Sequence, residues 1–399
     1  GMVITMDFNT LKAKDRSYIV NTYARFDVCP EKGNGATCTD IDGKSYVDFG
    51  SGIGVNSLGY CDKGWIAAVT EQLNQLQHCS NLYYSEPDIR LAEKLCVLTG
   101  YDKVFFGNSG AEANECAIKT ARKRSFDKYG AGRHKIISLV NSFHGRTITT
   151  LSATGQDVFH QYFYPFTEGF DYAKANDLAD LQSKIDDTVC GIMMELIQGE
   201  GGVMPLEQDF VDAVRHLCAQ KDITLIVDEV QTGIGRTGRL LACEHYGLKP
   251  DLVTLAKGLG GGLPIGAVLM TEEYASVLGA GMHGTTFGGN PVACAGGVEV
   301  LNRVANKPFL DEVAQKGNDI RRRLSEVSEV AGVDGIGMML GIRLKSKKAA
   351  EVAKACVENG LLILTAKEKL RMLPPLTITQ QEIDTGLRIL IDILNRDAL

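Results

Sequence analysis

Asp251-Leu252-Val253-Thr254-Leu255-Ala256-Lys257-Gly258-Leu259-Gly260-Gly261-Gly262 sets a single amine between a short apolar run and a glycine-rich turn. An apolar run of this length, bounded by turn residues, reads as a buried strand. Upstream, residues 223–227 form a second such run, which ends in Asp228-Glu229-Val230-Gln231. Three more runs precede it, at 103–106, 135–140 and 190–194, and helical patterns separate most of the five. This alternation predicts an α/β fold with a mainly parallel sheet covered on both faces. In such sheets the ligand crevice lies at the carboxyl ends of the strands. Lys257 and Asp228 are therefore both placed at the crevice.

A lysine at that edge can form a Schiff base with a carbonyl cofactor, and an aspartate can pair with a pyridinium nitrogen. The two together point to pyridoxal phosphate. Read alone, Asp228 can also be a helix N-cap.

Composition limits the alternatives. The 399 residues suggest two or three lobes, and a chain that is 44% hydrophobic and 23% charged is ordinary for a globular protein. The net charge of −7 argues against a mainly electrostatic nucleic-acid binder. Arg321-Arg322-Arg323, the longest basic run, reads as a solvated helix face. The eleven cysteines are odd in number and contain no Cys-x-x-Cys pair, which favours free thiols in a reducing compartment. There is no metal-ligand spacing, signal-peptide core or membrane-length apolar run. The expected setting is cytoplasmic, with no membrane partner.

Along the chain, residues 1–60 read as an N-terminal arm and a hairpin about Asp42-Gly43, 61–295 as the large alternating domain, and 296–399 as a smaller C-terminal α/β lobe. Helices are predicted at 65–77, 88–98, 112–128 and 349–358. A final helix opens on the capping-box spacing Thr379-x-x-Glu382.

Further segments can carry chemistry at the strand ends. Gly107-Asn108-Ser109-Gly110-Ala111 leads into a helix and can cradle a phosphate, or be a plain strand-to-helix turn. In Asn141-Ser142-Phe143-His144-Gly145-Arg146, Phe143 can cover a flat ring and Arg146 can grip a carboxylate or lie on the surface. Glu195 and Glu200 fit an acid/base pair or an electrostatic role, and the second suits a site whose lysine already supplies the base. Residues 283–291 combine hydroxyls, Thr286 among them, with open backbone suited to phosphate oxygens, or form a bland loop. Arg371 precedes Met372-Leu373-Pro374-Pro375, whose prolines hold the chain extended; it can clamp a carboxylate or be a surface arginine. Gly233-Ile234-Gly235-Arg236-Thr237-Gly238 spells a dinucleotide fingerprint and would support a nicotinamide oxidoreductase. It starts too far from its strand and has no helix directly after it.

Taken in order, from Tyr23-Ala24-Arg25 to Arg371, these segments resemble the class III (ornithine-type) aminotransferases, a fold-type-I pyridoxal-phosphate family. The resemblance implies a large domain with a seven-stranded-type sheet, a smaller α/β lobe and a homodimer with shared sites. It implies that Lys257 carries the cofactor and moves the proton, Asp228 pairs with the pyridine nitrogen and Gln231 lies near the ring hydroxyl. Phe143 is implied to stack on the ring, Ser109, Gly110 and Ala111 to hold the phosphate, and Thr286 to reach the phosphate of the neighbouring subunit. Arg371 would clamp the α-carboxylate with Glu200 as its switch partner, and Arg146, with Tyr23 nearby, would hold the far carboxylate. The expected reaction moves the δ-amino group of N2-acetylornithine to 2-oxoglutarate. Amine donors such as 4-aminobutyrate, ornithine and succinylornithine stand as alternatives. Two stretches depart from the family wording: Leu58-Gly59-Tyr60-Cys61-Asp62-Lys63, and Glu195-Leu196-Ile197-Gln198, which lacks a proline.

Overall fold

The computed structural model describes residues 6–399. Among them, the central element is a seven-stranded sheet. Its strands are β1 (Lys103–Gly107), β2 (Lys135–Leu139), β3 (Phe170–Ala173), β4 (Val189–Met194), β5 (Thr224–Asp228), β6 (Leu252–Leu255) and β7 (Gly266–Met270), in the spatial order β1-β7-β6-β5-β4-β2-β3. The pairs β6-β5, β5-β4, β4-β2 and β2-β3 are parallel. Only β7 runs against its neighbours, β6 and β1.

Successive side chains of the central strands enter two different cores, as the two-residue period of a strand requires. Ile136, Met193, Ile226 and Leu252 pack with Ala113, Cys116, Ala117 and Ala121 of the helix Gly110–Tyr129. Ile137, Ile192, Leu225, Val227 and Val253 face the opposite way, with Phe210, Val211 and Val214 of the helix Gln208–Lys221. Burial on both faces explains why these strands are continuously apolar.

The predicted hairpin is present, with Thr37–Asp40 antiparallel to Ser45–Asp48 and Gly43 at φ 86° in the turn. Its sheet is completed by Leu361–Leu362, which pairs Leu361 with Val47. The two ends of the chain are thus knitted together. A second small sheet contains Val330–Ile336, Met339–Leu344, Lys369–Met372 and Leu364–Ala366. The predicted capping box forms. Thr379 Oγ1 accepts from Glu382 N–H at 3.2 Å and Glu382 Oε1 accepts from Thr379 N–H at 3.0 Å. The other oxygen of Glu382 accepts from Ala36 N–H, tying the last helix, Gln380–Leu394, to the hairpin. The basic run is used up locally: Arg322 and Arg323 pair with Asp319, and Arg321 donates to the carbonyls of Val333 and Gly335.

Two strands of the central sheet escape the sequence reading, β3 and β7. The β3 segment is a half-exposed edge strand that includes Asp171. No helix separates β7 from β6, so no alternation announces it.

Candidate active site

Sheet register decides which side chains meet. Asp228 closes β5 opposite Thr254 of β6, so Lys257 emerges three residues past its neighbour. On the other flank Val227 pairs with Met194, which puts Glu195 one step past the end of β4. The loops after β1 and β2 bring in Ser109 to Ala111 and Phe143 to Arg146. Together these line a cavity of about 480 Å³ with Glu200, Gln231 and Lys257. The separate strand ends read from sequence therefore converge on one space.

Lys257 begins a single 3₁₀ turn, Lys257–Leu259, with φ at 45°. Left-handed backbone at a residue with a side chain costs on the order of 1–3 kcal/mol and must be held by its surroundings. Part of that hold is Ser57, whose hydroxyl donates to the Gly258 carbonyl at 2.7 Å. Burial, ahead of the nearby charges, pushes the Lys257 amine down to about 8.

Asp228 is almost fully buried and fully used. Its Oδ2 accepts from Asn114 Nδ2 at 2.9 Å and lies 2.8 Å from His144 Nδ1, while Oδ1 accepts from Val230 N–H at 2.9 Å. The N-cap-like bond and the buried network therefore coexist. Burial works against a charge on His144, but the Asp228 carboxylate outweighs it and the imidazole titrates above its ordinary value. Asn114 also donates to the His144 carbonyl at 2.8 Å, locking the group. Sequence reading gave neither Asn114 nor His144 a role. The available signal was a polar Asn114 among the small apolar residues Ala113, Cys116, Ala117 and Ala121 on the buried face of a long helix.

Glu195 is held by the backbone: Oε1 accepts from Phe143 N–H at 2.9 Å and Oε2 from Gly199 N–H at 3.3 Å. Burial raises its pKa. It orders the loops that present Phe143 and Glu200.

The phosphate-sized cup is built at the start of the helix Gly110–Tyr129. Ser109 Oγ accepts from Glu112 N–H at 3.1 Å, so its own proton remains free to donate outward. The first N–H groups of the helix lack intrahelical partners and favour an anion. Close packing forms the cup floor: a Cβ on Gly266, at the start of β7, would meet the Ser109 carbonyl oxygen at 2.1 Å.

Arg371 lies in the strand Lys369–Met372 opposite Gly341 and is 4% exposed. Its Nη1 donates to Glu200 Oε1 at 2.9 Å, as the sequence reading paired them. Its Nε is buried without a hydrogen-bond partner among the described residues. Arg146 stands over the Phe143 and Phe159 rings, 5.7 and 5.1 Å from their centres. Two named residues lie elsewhere. Tyr23 is exposed beneath Arg25, and Thr286 is exposed in a surface cleft with His78, Ser80 and Asn81.

The cavity fits pyridoxal phosphate on its own chemistry. It offers an amine beside an acid for the pyridine nitrogen, a half-buried aromatic face and an anion cup. Gln231 Oε1, buried and unpartnered among the described residues, is free to accept from a ring hydroxyl. No cluster of metal-binding side chains occurs among the described residues, and no helix there is long and apolar enough to cross a membrane.

The chain belongs to the class-III aminotransferases, whose family model matches residues 18–394. It is 51% identical to the acetylornithine aminotransferase of Haemophilus ducreyi over 98% of this chain and all of that one. It is 46% identical to that of Methanocaldococcus jannaschii, over 95% and 96%. Among solved structures it resembles the ornithine aminotransferase of Toxoplasma gondii, with TM-score 0.93 and 34% identity over 98% of this chain and 95% of that one. The N-acetylornithine aminotransferase of Stenotrophomonas maltophilia matches with TM-score 0.83 and 35% identity, over 96% and 98%.

Proposed function

We propose that the enzyme uses pyridoxal 5'-phosphate to transfer the δ-amino group of N2-acetyl-L-ornithine to 2-oxoglutarate, giving N-acetyl-L-glutamate 5-semialdehyde and L-glutamate, a step of arginine biosynthesis. The observation that carries this reading is the Arg371–Glu200 pair at the cavity that holds Lys257 and Asp228. The names of the relatives support the choice of donor. Nitrogen leaves a primary carbon, which is oxidised to an aldehyde, and joins the keto carbon of 2-oxoglutarate, which is reduced.

Bound in the cavity, the cofactor supplies an aldehyde that condenses with amines and a pyridinium ring that takes up electron density. Lys257 is the residue that would hold it, and Lys257 Nζ then moves the proton to and from the reacting carbon. Asp228, braced by Asn114 and His144, keeps the ring nitrogen protonated. Phe143 would cover the ring, Gln231 would accept from its hydroxyl, and Ser109, Gly110 and Ala111 would hold the phosphate. Arg146, on the cavity wall, would hold the distal carboxylate. Glu200 masks Arg371 while the amine donor is bound and releases it for the α-carboxylate of 2-oxoglutarate.

The reading includes a cytoplasmic homodimer and a large domain, 61–295, between an N-terminal arm, 1–60, and a C-terminal lobe, 296–399. Leu82, Tyr83, Tyr84 and Phe287 are widely exposed beside the cleft of Thr286, which suits a second copy whose cofactor phosphate Thr286 would reach. A panel of amine donors assayed with 2-oxoglutarate tests the function. Acetylornithine should give the highest kcat/KM, and a clear preference for ornithine or 4-aminobutyrate would refute the donor assignment.

A further inference from the structure

The loop 233–238, with its dinucleotide-like glycines, starts five residues beyond Asp228 and carries Arg236, which is 2% exposed. The Arg236 guanidinium faces backbone. Its Nη1 donates to the Met338 carbonyl at 3.2 Å and to the Pro374 carbonyl. No carboxylate lies within ion-pair distance of it among the described residues. Met338 N–H donates back to the Arg236 carbonyl at 2.9 Å. A Cβ on Gly337 would lie 2.4 Å from the Thr237 carbonyl carbon, so the two backbones are in direct contact.

The two accepting carbonyls mark the end of one strand pair. Met338 immediately precedes Met339–Leu344, and Pro374 follows Lys369–Met372. These strands are antiparallel, with Leu340 opposite Met372 and Gly341 opposite Arg371. One guanidinium therefore staples together the strand ends just beyond Arg371 and ties them to the loop that begins at Asp228. Burying a cation is costly, and burial depresses the Arg236 pKa to about 9 although the Asp48 carboxylate works against it. An apolar side chain would fill the space more cheaply. What the arginine adds is a terminal nitrogen, Nη1, whose two N–H groups reach both carbonyls at once.

We propose that Arg236 is a positioning residue for Arg371: it fixes the carboxylate clamp relative to Lys257 when Glu200 is not paired with it. The inference rests on the reading of Arg371 as that clamp. With Glu200 engaged, Arg371 is held at its tip as well as by its strand. With Glu200 withdrawn, the strand end alone sets where the guanidinium stands. Loosening the staple must therefore weaken the step in which Arg371 meets a free carboxylate more than the step in which Glu200 masks it.

The test uses holoenzyme carrying Arg236→Met or Arg236→Lys, with stopped-flow half-reactions for each substrate and an absorbance titration of pyridoxal phosphate. For R236M, the apparent Kd for 2-oxoglutarate should rise about tenfold or more, while those for acetylornithine and the cofactor stay within about threefold. R236K should fall between, because its single ammonium reaches the carbonyls less well. Equal losses in both half-reactions would overturn the proposal. If R236M does not fold, an unchanged ratio of the two Kd values in R236K would also overturn it. Wild-type enzyme that fails to consume 2-oxoglutarate would instead refute the clamp reading, a result independent of the variants.

Discussion

Arg371 Nη1 donates to Glu200 Oε1 at 2.9 Å, joining the small antiparallel sheet to the loop that follows β4. The arginine is almost wholly buried and the glutamate is partly open to the cavity, so the glutamate is the partner free to move. Arg371→Ala should slow the 2-oxoglutarate half-reaction by on the order of 100-fold, and the acetylornithine half far less, because truncating a buried charged hydrogen bond costs about 2–5 kcal/mol. Equal losses in stopped-flow half-reactions would remove the switch.

Lys257→Ala should abolish turnover, since no other lysine lines the cavity among the described residues. Borohydride reduction of the wild-type holoenzyme followed by peptide mapping should place the label on Lys257. A label elsewhere, or substantial activity of the alanine variant without added amine, would contradict the assignment.

The depressed Lys257 pKa gives a pH signature. Only the neutral amine attacks an aldehyde, and the folded protein deprotonates it near 8 instead of near 10.5. Capture of pyridoxal phosphate by the apo-enzyme should therefore accelerate from pH 6.5 to about 8 and level off above it. A rate that keeps climbing to about pH 10 would show a lysine with an ordinary pKa.

Asp228→Asn leaves Asn114 and His144 in place but takes away the charge they brace. Turnover should fall by on the order of 100-fold or more while the fold survives, as expected for the loss of a preorganised charge at a reacting ring. Restoration of rate by a cofactor analogue whose ring nitrogen carries a permanent positive charge would support this role. Near-normal turnover in D228N would defeat it.

Gly199→Ala tests the packing behind Gln231. The added Cβ would sit 2.1 Å from Gln231 Oε1, so that side chain must move. We expect weaker cofactor binding and a stability loss of about 1–3 kcal/mol, typical of overpacking. Thermal melts of the apo form and cofactor titrations of the same samples would separate the two effects.

Much of this site is legible in sequence because parallel strands bring their ends together at one edge. Once residues 223–227 and 252–256 read as neighbouring buried strands, Asp228 and Lys257 must meet. The pairing of Arg371 with Glu200 came from the family resemblance, since nothing local to either residue announces a partner so far along the chain. Asn114 and His144 stayed silent for the same reason, standing 114 and 84 residues from the carboxylate they hold. Arg236 was hidden by its setting, where a glycine pattern suggested a nucleotide and the fold uses Gly235 and Gly238 for left-handed turns, at φ 86° and 90°. Tyr23 and Thr286, named from the resemblance, lie on the outside of the single chain.

The reversed direction of β7 has a consequence for motion. Chain leaving Lys257 at the top of β6 re-enters the sheet at Gly266, at the same edge, so the lysine segment is anchored at both ends. The amine is thereby held at one point of the sheet edge, and of the two charged partners nearby it is the partly open Glu200, not the buried Arg371, that has room to shift.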